Sequence, residues 1–450
     1  MKPAENSLRS KLSKAEKFLN GLSDYEKTTG YSYTAAYFNL KRMKHLLALL
    51  KNPHLKIPSI HVTGTKGKGS TSNYIARILT SSGLKTGLYT SPHILTFRER
   101  IRINNKMITW RELDILTDKL IPAVEKLSKK TKYGTPTFFE VYTAMGFLYF
   151  FEKKVDVMVL EVGMGGRLDA TNVITPLVSV ITPVSLDHVK ELGNTLAKIA
   201  GEKAGIIKTG VPVVSAPQAS EVLRVLQSRA KESKAIFKVE GRDFTHKVTA
   251  LKQNGMIFDV NGLKMSFTAV KTGMPGSHQA LNASVAIAAV ELAAPRLGLS
   301  RALLTKVVPK AINKVLLTGR VQVLSKNPFI IADAAHNAAS AKVLLASLKI
   351  FKYNRLIMVL GMSANKDCRG FLRVFEKNTD LAVYVRSSNY RSAEPKELNR
   401  VSNIKKGLVF ESVPEGIAYA LKTAKKGDLV CISGSFYVLH DAFKYLRIKS

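Results

Sequence analysis

The segment that most clearly suggests chemistry is a glycine-rich loop at residues 64–70. The apolar stretch Ser59–Thr63 runs into Gly-Thr-Lys-Gly-Lys-Gly-Ser. A strand followed by such a loop and a helix presents backbone N–H groups and the positive end of the helix dipole to an anion, and Lys68 adds a point charge. Gly69 separates this lysine from Ser70, so the spacing departs from the usual Walker pattern. The loop predicts a phosphate site in a nucleotide-driven enzyme, and a glycine turn without a ligand is the alternative.

A carboxylate follows a second apolar run. Glu161 falls near the end of the predicted buried strand at residues 155–162. At the same sheet edge as the glycine loop, a hard oxygen ligand can hold Mg²⁺ beside a triphosphate. The alternative is that Glu161 only caps the turn after its strand. A glutamate that ends a largely apolar strand needs a partner, which favours the metal interpretation.

A histidine and a lysine follow farther along the chain. His188 ends Ser-Leu-Asp-His, residues 185–188, after another apolar strand. A lone histidine is more often a satisfied core or loop residue, but a strand end that faces the same loops favours a functional role. Lys203 stands among Ala, Gly and Ile on a predicted helix, where partial burial would lower its pKa and give a reactive neutral amine. Spacing alone favours an ordinary surface lysine.

A third group of polar residues lies on a strand-to-helix turn in the last third of the chain. Asp333, His336 and Asn337 follow the apolar residues 330–332, and Thr-Gly-Arg at 318–320 opens this region. Asp333 could cap the next helix, with His336 as its neighbour. Either residue could instead reach a cleft from the wall opposite the glycine loop.

The apolar runs predict an α/β fold. Runs without polar alternation are typical of parallel central strands, and they occur at 59–63, 155–162, 177–182 and 211–215. Between 235 and 270 the period changes to two, and Asn261-Gly262 predicts the turn of a small antiparallel β insertion. Helices are predicted within 7–51 and at 277–294 and 338–350.

A second alternating series predicts another domain. Its strands are expected at 321–324, 329–332, 356–361, 381–385 and 428–433. We therefore expect a large P-loop α/β domain at 1–317 and a smaller Rossmann-like α/β domain at 318–450. A cleft between two such domains is a natural ligand site.

Charge and cysteine content narrow the class of protein. The 450 residues carry 69 Lys plus Arg against 33 Asp plus Glu, a net charge of +36. These charges are spread along the chain rather than gathered in a basic-aromatic tract, so a general surface bias explains them most simply. Attraction of anionic substrates is compatible with them, and nucleic-acid binding is the weakest interpretation. Cys368 and Cys431 fit a reducing compartment. With no signal peptide or apolar run long enough to cross a bilayer evident, we expect a cytoplasmic protein without a membrane partner.

Several ordered segments together resemble the folylpolyglutamate synthase/dihydrofolate synthase family of the Mur ligase superfamily. The matching segments are Val-Thr-Gly-Thr-Lys-Gly-Lys-Gly-Ser-Thr at 62–71, Tyr-Thr-Ser-Pro-His at 89–93, Leu-Glu-Val-Gly-Met-Gly-Gly-Arg-Leu-Asp-Ala-Thr-Asn at 160–172, Leu-Asp-His at 186–188 and Ile-Ala-Gly-Glu-Lys-Ala-Gly-Ile at 199–206. Two departures are visible, because Ala334 replaces a glycine usual in the family and Leu-Thr-Gly, not Trp-Pro-Gly, precedes Arg320. The resemblance implies a Mur-ligase-like central domain.

The resemblance also implies a role for each matching position. ATP would be bound by Gly64, Thr65, Lys66, Gly67, Lys68, Gly69, Ser70, Asn282, Arg320 and Asp333. Mg²⁺ ligands would be Ser70, Ser91, Glu161, His188 and Lys203, the last carried as a carbamate. Phe139 and Asp169 would line the pterin-side pocket, and the catalytic group would comprise Lys68, Lys203, His188 and His336.

The family reaction is an ATP-dependent joining of L-glutamate to a folate-type carboxylate through an acyl phosphate. The resemblance implies ATP and Mg²⁺ as cofactors, and folate or dihydropteroate, L-glutamate and ATP as small-molecule partners of a monomer. Two alternatives remain open: a Mur-type ligase for cell-wall precursors, and a basic P-loop ATPase that binds nucleic acid.

Overall fold

The computed structural model describes residues 12–24, 38–130 and 133–448. In the first part of the chain the strands are β1 (Ser59–Thr63), β2 (Thr86–Tyr89), β3 (Ile101–Ile103), β4 (Lys106–Met107), β5 (Val157–Glu161), β6 (Val178–Ile181), β7 (Val213–Ser215) and β8 (Phe237–Val239). The helices there are α1 (Lys14–Asn20), α2 (Leu40–Leu49), α3 (Lys68–Ser81), α4 (Trp110–Lys130), α5 (Phe138–Glu152), α6 (Val189–Leu192), α7 (Leu196–Ala204) and α8 (Ser220–Glu232).

These strands form an eight-stranded sheet in the order β4-β3-β2-β5-β1-β6-β7-β8. Six neighbouring strands are parallel, namely β2, β5, β1, β6, β7 and β8. At one edge of the sheet, β3 pairs antiparallel with β2, and β4 pairs antiparallel with β3. Every residue of β1, β5 and β6 is buried, as expected for parallel strands covered on both faces. The four predicted central strands are confirmed with bounds shifted by at most two residues, whereas β2, β3 and β4 were not predicted. The placement of β8 was wrong, because it lies in the region 235–270 expected to be antiparallel but pairs parallel with β7.

The predicted β insertion is a three-stranded antiparallel sheet of β9 (Thr245–Lys252), β10 (Gly255–Asn261) and β11 (Ser266–Thr272). The hairpin between β10 and β11 is confirmed, but the two-residue turn predicted at Asn261-Gly262 is wrong. Asn261 pairs with Ser266, so the loop has four residues, and the Glu291 carboxylate accepts three backbone N–H groups from it. The two-residue turn lies at 253–254, where Lys252 pairs with Gly255.

The alanine-rich helix α9 (His278–Ala293) is the core helix of this region, and α10 (Arg301–Asn313) follows it. Helix α9 packs against α3, β6 and β9. The stretch His278–Leu297 is long and apolar enough to cross a membrane by length and composition, but 72% of it is buried inside the protein. Its apolar character is therefore explained by packing.

The remaining strands form a six-stranded sheet in the order β12-β13-β17-β14-β15-β16. They are β12 (Gln322–Lys326), β13 (Phe329–Ala332), β14 (Leu356–Leu360), β15 (Leu381–Val385), β16 (Gly407–Phe410) and β17 (Leu429–Ser433). Helices α11 (Ala338–Leu348), α12 (Cys368–Arg373), α13 (Pro395–Val401), α14 (Val413–Thr423) and α15 (Phe436–Tyr445) accompany them. All pairings except that of β12 with β13 are parallel, and apolar clusters lie on both faces, as predicted for a Rossmann-like sheet.

One prediction concerns residues that the structure covers only in part. Within the predicted helical region 7–51, α1 and α2 are present, while residues 7–11 and 25–37 lie outside the described residues.

The eight- and three-stranded sheets precede residue 317 and the six-stranded sheet follows it. The division of the chain at 317/318 stays a prediction.

Candidate active site

All the predicted site residues line one cavity of about 870 Å³ that both α/β regions share. They are Gly64, Thr65, Lys66, Gly67, Lys68, Gly69, Ser70, Ser91, Phe139, Glu161, Asp169, His188, Lys203, Asn282, Arg320, Asp333 and His336. Several of them follow the carboxyl ends of parallel strands, as Gly64 follows β1, Glu161 ends β5 and Asp333 follows β13. The structure brings the predicted residues together, and their individual roles stay predictions.

The phosphate loop is shaped by two glycines with positive φ. Gly64 has φ 145° and Gly67 has φ 83°, and a Cβ at these positions would lie 1.9 Å from Thr182 Oγ1 and 2.3 Å from Asn282 Oδ1 respectively. Any side chain would therefore displace the loop. Within the described part of the chain no side chain caps α3 at Gly67, which leaves the first N–H groups of α3 available to an anion.

Two lysines converge on one backbone oxygen of this loop. Lys203 Nζ donates to Gly64 O at 2.9 Å, and Lys68 Nζ donates to the same oxygen at 3.2 Å. Lys203 is buried, which contradicts the surface-lysine alternative. Burial, reinforced by the charge of Lys68, lowers the pKa of Lys203 to about 7. A substantial fraction of its amine is therefore neutral, and hence nucleophilic, near neutral pH.

Glu161 lies against the first turn of α3. Its Oε2 accepts the Ser91 N–H at 3.2 Å, and a Cβ on Gly69 would lie 3.4 Å from the same oxygen. Burial raises the pKa of Glu161 to about 7, and the nearby Lys68 only partly opposes this effect. The carboxylate bonds the distant Ser91 rather than its own turn, so the capping alternative is not supported. A buried carboxylate with a raised pKa has capacity for a further cationic partner.

The side chains beside the phosphate loop include oxygen donors suited to Mg²⁺. Among the described residues no three His, Cys, Asp or Glu side chains form a cluster that could hold a metal. Mg²⁺ commonly uses one or two carboxylates and completes its shell with water and substrate phosphates. Glu161 and the hydroxyls of Ser70 and Ser91, which line the cavity beside the phosphate loop, fit that pattern.

His188 occupies a left-handed backbone position, φ 50°, and precedes α6. Its Nδ1 lies 3.8 Å from Glu191 Oε2, which is too long for a hydrogen bond. Desolvation and the charge of Lys366 lower the pKa of His188, so the imidazole is neutral at neutral pH. A neutral imidazole is the form that binds metal ions.

Asp187 is a site residue that the sequence did not single out. Its carboxylate accepts Lys66 Nζ at 3.3 Å, Lys366 Nζ at 2.7 Å and Asn337 Nδ2 at 2.9 Å. His336 Nε2 lies 3.6 Å away. Burial would raise the pKa of Asp187, but its contacts with His336, Lys66 and Lys366 hold that pKa well below its usual range. The only sequence signal was its place beside His188 at a strand end.

The turn after β13 is organised by Asp333. Its two carboxylate oxygens accept the N–H groups of Val321 and Ala335, each at 2.8 Å. Asn337, not Asp333, caps α11 by accepting the Ser340 N–H, so the capping role suggested for Asp333 is wrong. Asp333 instead ties the entry to the second sheet to the end of β13.

His336 and Arg320 line the cavity from the same side. His336 Nδ1–H donates to Ala334 O at 2.9 Å, which leaves Nε2 directed toward Asp187. The Arg320 guanidinium lies 5.3 Å from the centre of the Phe436 ring, a cation–π contact. Both side chains therefore reach the cleft from the wall opposite the phosphate loop.

Phe139 and Asp169, the two residues predicted to line the pterin-side pocket, form another wall of the cavity. Asp169 is buried, and its oxygens accept from Gly163 N, Met164 N and both the N–H and the hydroxyl of Thr171. Phe139 packs over Gly163, where a Cβ would lie 2.6 Å from the ring. The carboxylate of Asp169 thus already shapes its own loop, which the sequence did not indicate.

Comparison with family models gives two matches along the chain. Residues 62–290 match the Mur ligase middle domain, and residues 319–436 match the Mur ligase, glutamate ligase domain. Together these matches include all the predicted site residues and Asp187.

Individual relatives cover nearly the whole chain. The dihydrofolate synthase/folylpolyglutamate synthase of Bacillus subtilis is 35% identical over 416 residues, which cover 91% of this chain and 95% of that protein. The structure of Mycobacterium tuberculosis folylpolyglutamate synthase complexed with ADP matches with a TM-score of 0.87 at 30% identity, covering 97% of this chain and 98% of the other. The structure of E. coli FolC in complex with DHPP and ADP matches with a TM-score of 0.84 at 26% identity, covering 98% and 99%.

Proposed function

The chain belongs to the folylpolyglutamate synthase/dihydrofolate synthase family of Mur ligases, and we propose that it joins L-glutamate to a folate-type carboxylate at the expense of ATP. The acceptor would be dihydropteroate, a reduced folate polyglutamate or both. The observation that carries this proposal is the shared cavity, in which the phosphate loop, two buried groups with pKa values near 7 and the turn after β13 face one another.

The proposed reaction has two balanced steps. The acceptor carboxylate attacks the γ-phosphorus of ATP, and ADP leaves as an acyl phosphate forms. The amino group of L-glutamate then attacks the acyl carbon, loses a proton and expels inorganic phosphate as the amide forms. Phosphorylation is needed because a carboxylate is a poor electrophile, so the protein mainly has to position the reactants and neutralise charge.

The phosphate loop supports binding of the ATP triphosphate. The uncapped start of α3 offers N–H groups, and Lys68 lies beside them on Gly64 O. Asn282, which abuts Gly67, and Arg320, which approaches from the opposite wall, are proposed nucleotide contacts. Relatives of this chain have been solved with ADP and AMPPCP, which agrees with this assignment.

One Mg²⁺ would be held by Glu161 and Ser91, with Ser70 close by. A second would be held by His188, and modified Lys203 would supply an oxygen ligand beside the metal. When bound, these ions would supply charge neutralisation where the triphosphate meets the acceptor carboxylate. Glu161 provides the anionic oxygen, and its raised pKa reflects a carboxylate that lacks a full complement of partners.

Lys203 is proposed to react with CO₂ to form a carbamate. Nζ bonds the carbon of CO₂ and loses a proton, which converts a cation into an anionic oxygen ligand. The lowered pKa of Lys203 supports this step because only the neutral amine can add to CO₂. The nearby Lys68 would stabilise the resulting negative charge.

His336 and Asp333 are proposed to complete the site from the second α/β region. Asp333 holds its turn, and His336 faces Asp187 across the cleft. Closure of the two walls would exclude water, which would otherwise hydrolyse the acyl phosphate. We further propose a cytoplasmic monomer that acts on small molecules without a nucleic-acid or membrane partner.

One assay with parallel substrates tests the proposal. Labelled L-glutamate and ATP are offered with dihydropteroate, with tetrahydrofolate and with a UDP-muramyl precursor, and ADP and labelled amide are measured. We expect equal amounts of ADP and amide with a folate-type acceptor only. Amide formed on the muramyl precursor would favour the cell-wall alternative, and phosphate release stimulated by DNA or RNA without any amide would favour the nucleic-acid alternative.

A further inference from the structure

A buried histidine next to the phosphate loop has no role in the reaction described above. His61 lies in the middle of β1, pairs with Leu160 and Ser179 on its two sides, and is fully buried. Its Nε2 is 2.8 Å from Thr171 Oγ1, whereas its Nδ1 has no hydrogen-bond partner among the residues that the structure describes. A buried nitrogen without a partner costs desolvation, so an apolar residue would serve packing better.

The hydrogen bonds of His61 have a defined direction. Asp169 accepts from four donors, including the Thr171 hydroxyl at 2.5 Å, as expected of an ionised carboxylate. Because the Thr171 hydroxyl has a single proton and donates it to Asp169, its oxygen accepts from His61 Nε2–H. The chain therefore runs from His61 through Thr171 to the Asp169 carboxylate.

Asp169, the last residue in this series of hydrogen bonds, determines the shape of the loop that links two parts of the cavity. Asp169 Oδ2 holds the N–H groups of Gly163 and Met164, just after Glu161. The Phe139 ring packs on Gly163. Farther along the loop, Gly166 lies so close to α7 that a Cβ would be 3.2 Å from the Lys203 Cα. A shift of Asp169 would therefore move the acceptor wall of the cavity.

We propose that His61 is a positioning residue for acceptor binding, acting through Thr171 on Asp169. The Nε2–H fixes the Thr171 hydroxyl, and that hydroxyl fixes the carboxylate which holds the loop under Phe139. The inference rests on the proposed function, in which Phe139 and Asp169 line the acceptor pocket.

The test compares His61→Leu with His61→Gln. Leucine fills the space without a donor, whereas the glutamine amide carries an N–H at about the distance of Nε2. With dihydropteroate or tetrahydrofolate, whichever the wild type uses, we expect His61→Leu to raise the acceptor KM roughly tenfold, as for other residues that orient a binding group. The KM for ATP should stay within about twofold of wild type. His61→Gln should restore most of the acceptor KM.

Thr171 gives a second route if His61→Leu fails to fold. Thr171→Val keeps the shape without the hydroxyl, and Thr171→Ser keeps the hydroxyl. We expect only the valine variant to raise the acceptor KM. If His61→Leu and Thr171→Val both fold, the variant that combines them should have an acceptor KM no higher than that of Thr171→Val. Both substitutions break the same series of hydrogen bonds, so their effects should not add.

Three results would overturn the inference. The first is an acceptor KM raised equally in His61→Leu and His61→Gln. The second is a KM for ATP that changes as much as the KM for the acceptor. The third is a normal acceptor KM in both His61→Leu and Thr171→Val. If the wild type itself ligates glutamate to no folate-type acceptor, the proposed function fails. An active wild type with an unaffected acceptor KM in the variants overturns only the role of His61.

Discussion

The Nζ of Lys366 lies 2.7 Å from Oδ1 of Asp187, although the two residues are 179 positions apart in the chain. Asp187 follows β6 of the first sheet, and Lys366 follows β14 of the second. The same carboxylate accepts Lys66 from the phosphate loop and Asn337 from the cap of α11. One anion therefore joins the phosphate loop to the opposite wall of the cleft.

Replacing Asp187 with Asn should weaken the link between the two walls. The substitution keeps the shape but leaves Lys66 and Lys366 without their anionic partner, and it makes the region more positive. We expect kcat/KM for ligation to fall by about 10- to 100-fold, or roughly 1.4–2.7 kcal/mol. Small-angle scattering should show a more open average conformation.

The matched control for this change is Glu397→Gln. Glu397 pairs with Arg400 on the exposed face of α13, and neither residue lines the cavity. Neutralising it should change neither kcat/KM nor the scattering curve. Full activity in Asp187→Asn would show that the cleft closes without this carboxylate.

The fold followed from the sequence more completely than the site did. Val- and Ile-rich runs without polar alternation identified the central strands because burial on both faces requires that composition. The strands β2 and β16 were missed, and each includes a glycine, Gly87 and Gly407, which is unfavourable in a strand. The position of the tight turn in the β insertion was wrong because the Glu291 carboxylate stabilises a four-residue loop after Asn261. That contact joins residues far apart in the chain, which no local pattern reports.

The parts of the site that escaped prediction are also long-range contacts. The glycine loop and Glu161 could be read because strand ends and loop composition are local signals. The role of Asp187 depends on partners 121 to 179 residues away. Lys203 is buried where its Nζ donates to Gly64 O, 139 residues away. Spacing alone therefore favoured the incorrect surface alternative for Lys203.

Lys203→Ala should abolish most of the ligase activity. The variant removes the amine that is proposed to carry a carbamate and leaves space beside Gly64 O. We expect a loss of at least about 100-fold in kcat, with partial recovery when a short carboxylate such as acetate is added. Lys208→Ala, which alters a nearby lysine outside the cavity, should be close to wild type and should not respond to acetate. Full activity in unsupplemented Lys203→Ala would refute the carbamate role.

The lowered pKa of Lys203 also predicts a pH dependence of stability. The unfolded chain holds the Lys203 proton up to about pH 10.5, while the folded protein releases it above about pH 7. Between these values the unfolded state binds more protons, so this residue makes the free energy of unfolding rise with pH, by about 1.4 kcal/mol per pH unit. Urea unfolding at pH 7.5 and 9.5 should show this increase for the wild type relative to Lys203→Met. Equal increases in the two proteins would contradict a neutral buried lysine.

Gly67→Ala should disrupt the phosphate loop for a steric reason. A Cβ at φ 83° would lie 2.3 Å from Asn282 Oδ1, so the loop or Asn282 must move. We expect a loss of stability of about 1–3 kcal/mol and a weakened affinity for ATP. Gly83→Ala is the matched control, because Gly83 also has a positive φ, 94°, but a Cβ there would meet no atom of the described residues within 4 Å. It should lower stability by about 1 kcal/mol and leave ATP binding unchanged.

Glu161→Gln should change the requirement for Mg²⁺ more than it changes the fold. Glutamine keeps the length and can still accept the Ser91 N–H, but it removes the anionic oxygen beside the start of α3. The variant therefore needs more Mg²⁺ for the same rate of ADP formation, and we expect the half-saturating concentration to rise by about tenfold or more.

Glu291→Gln is an informative control because Glu291 is also a buried glutamate with a raised pKa. Its carboxylate holds three backbone N–H groups of the β10–β11 loop, far from the phosphate loop, so this variant should lose stability without a change in the Mg²⁺ requirement. The same Mg²⁺ dependence in Glu161→Gln and wild type would mean that Glu161 is not a metal ligand and that its burial next to α3 has another cause.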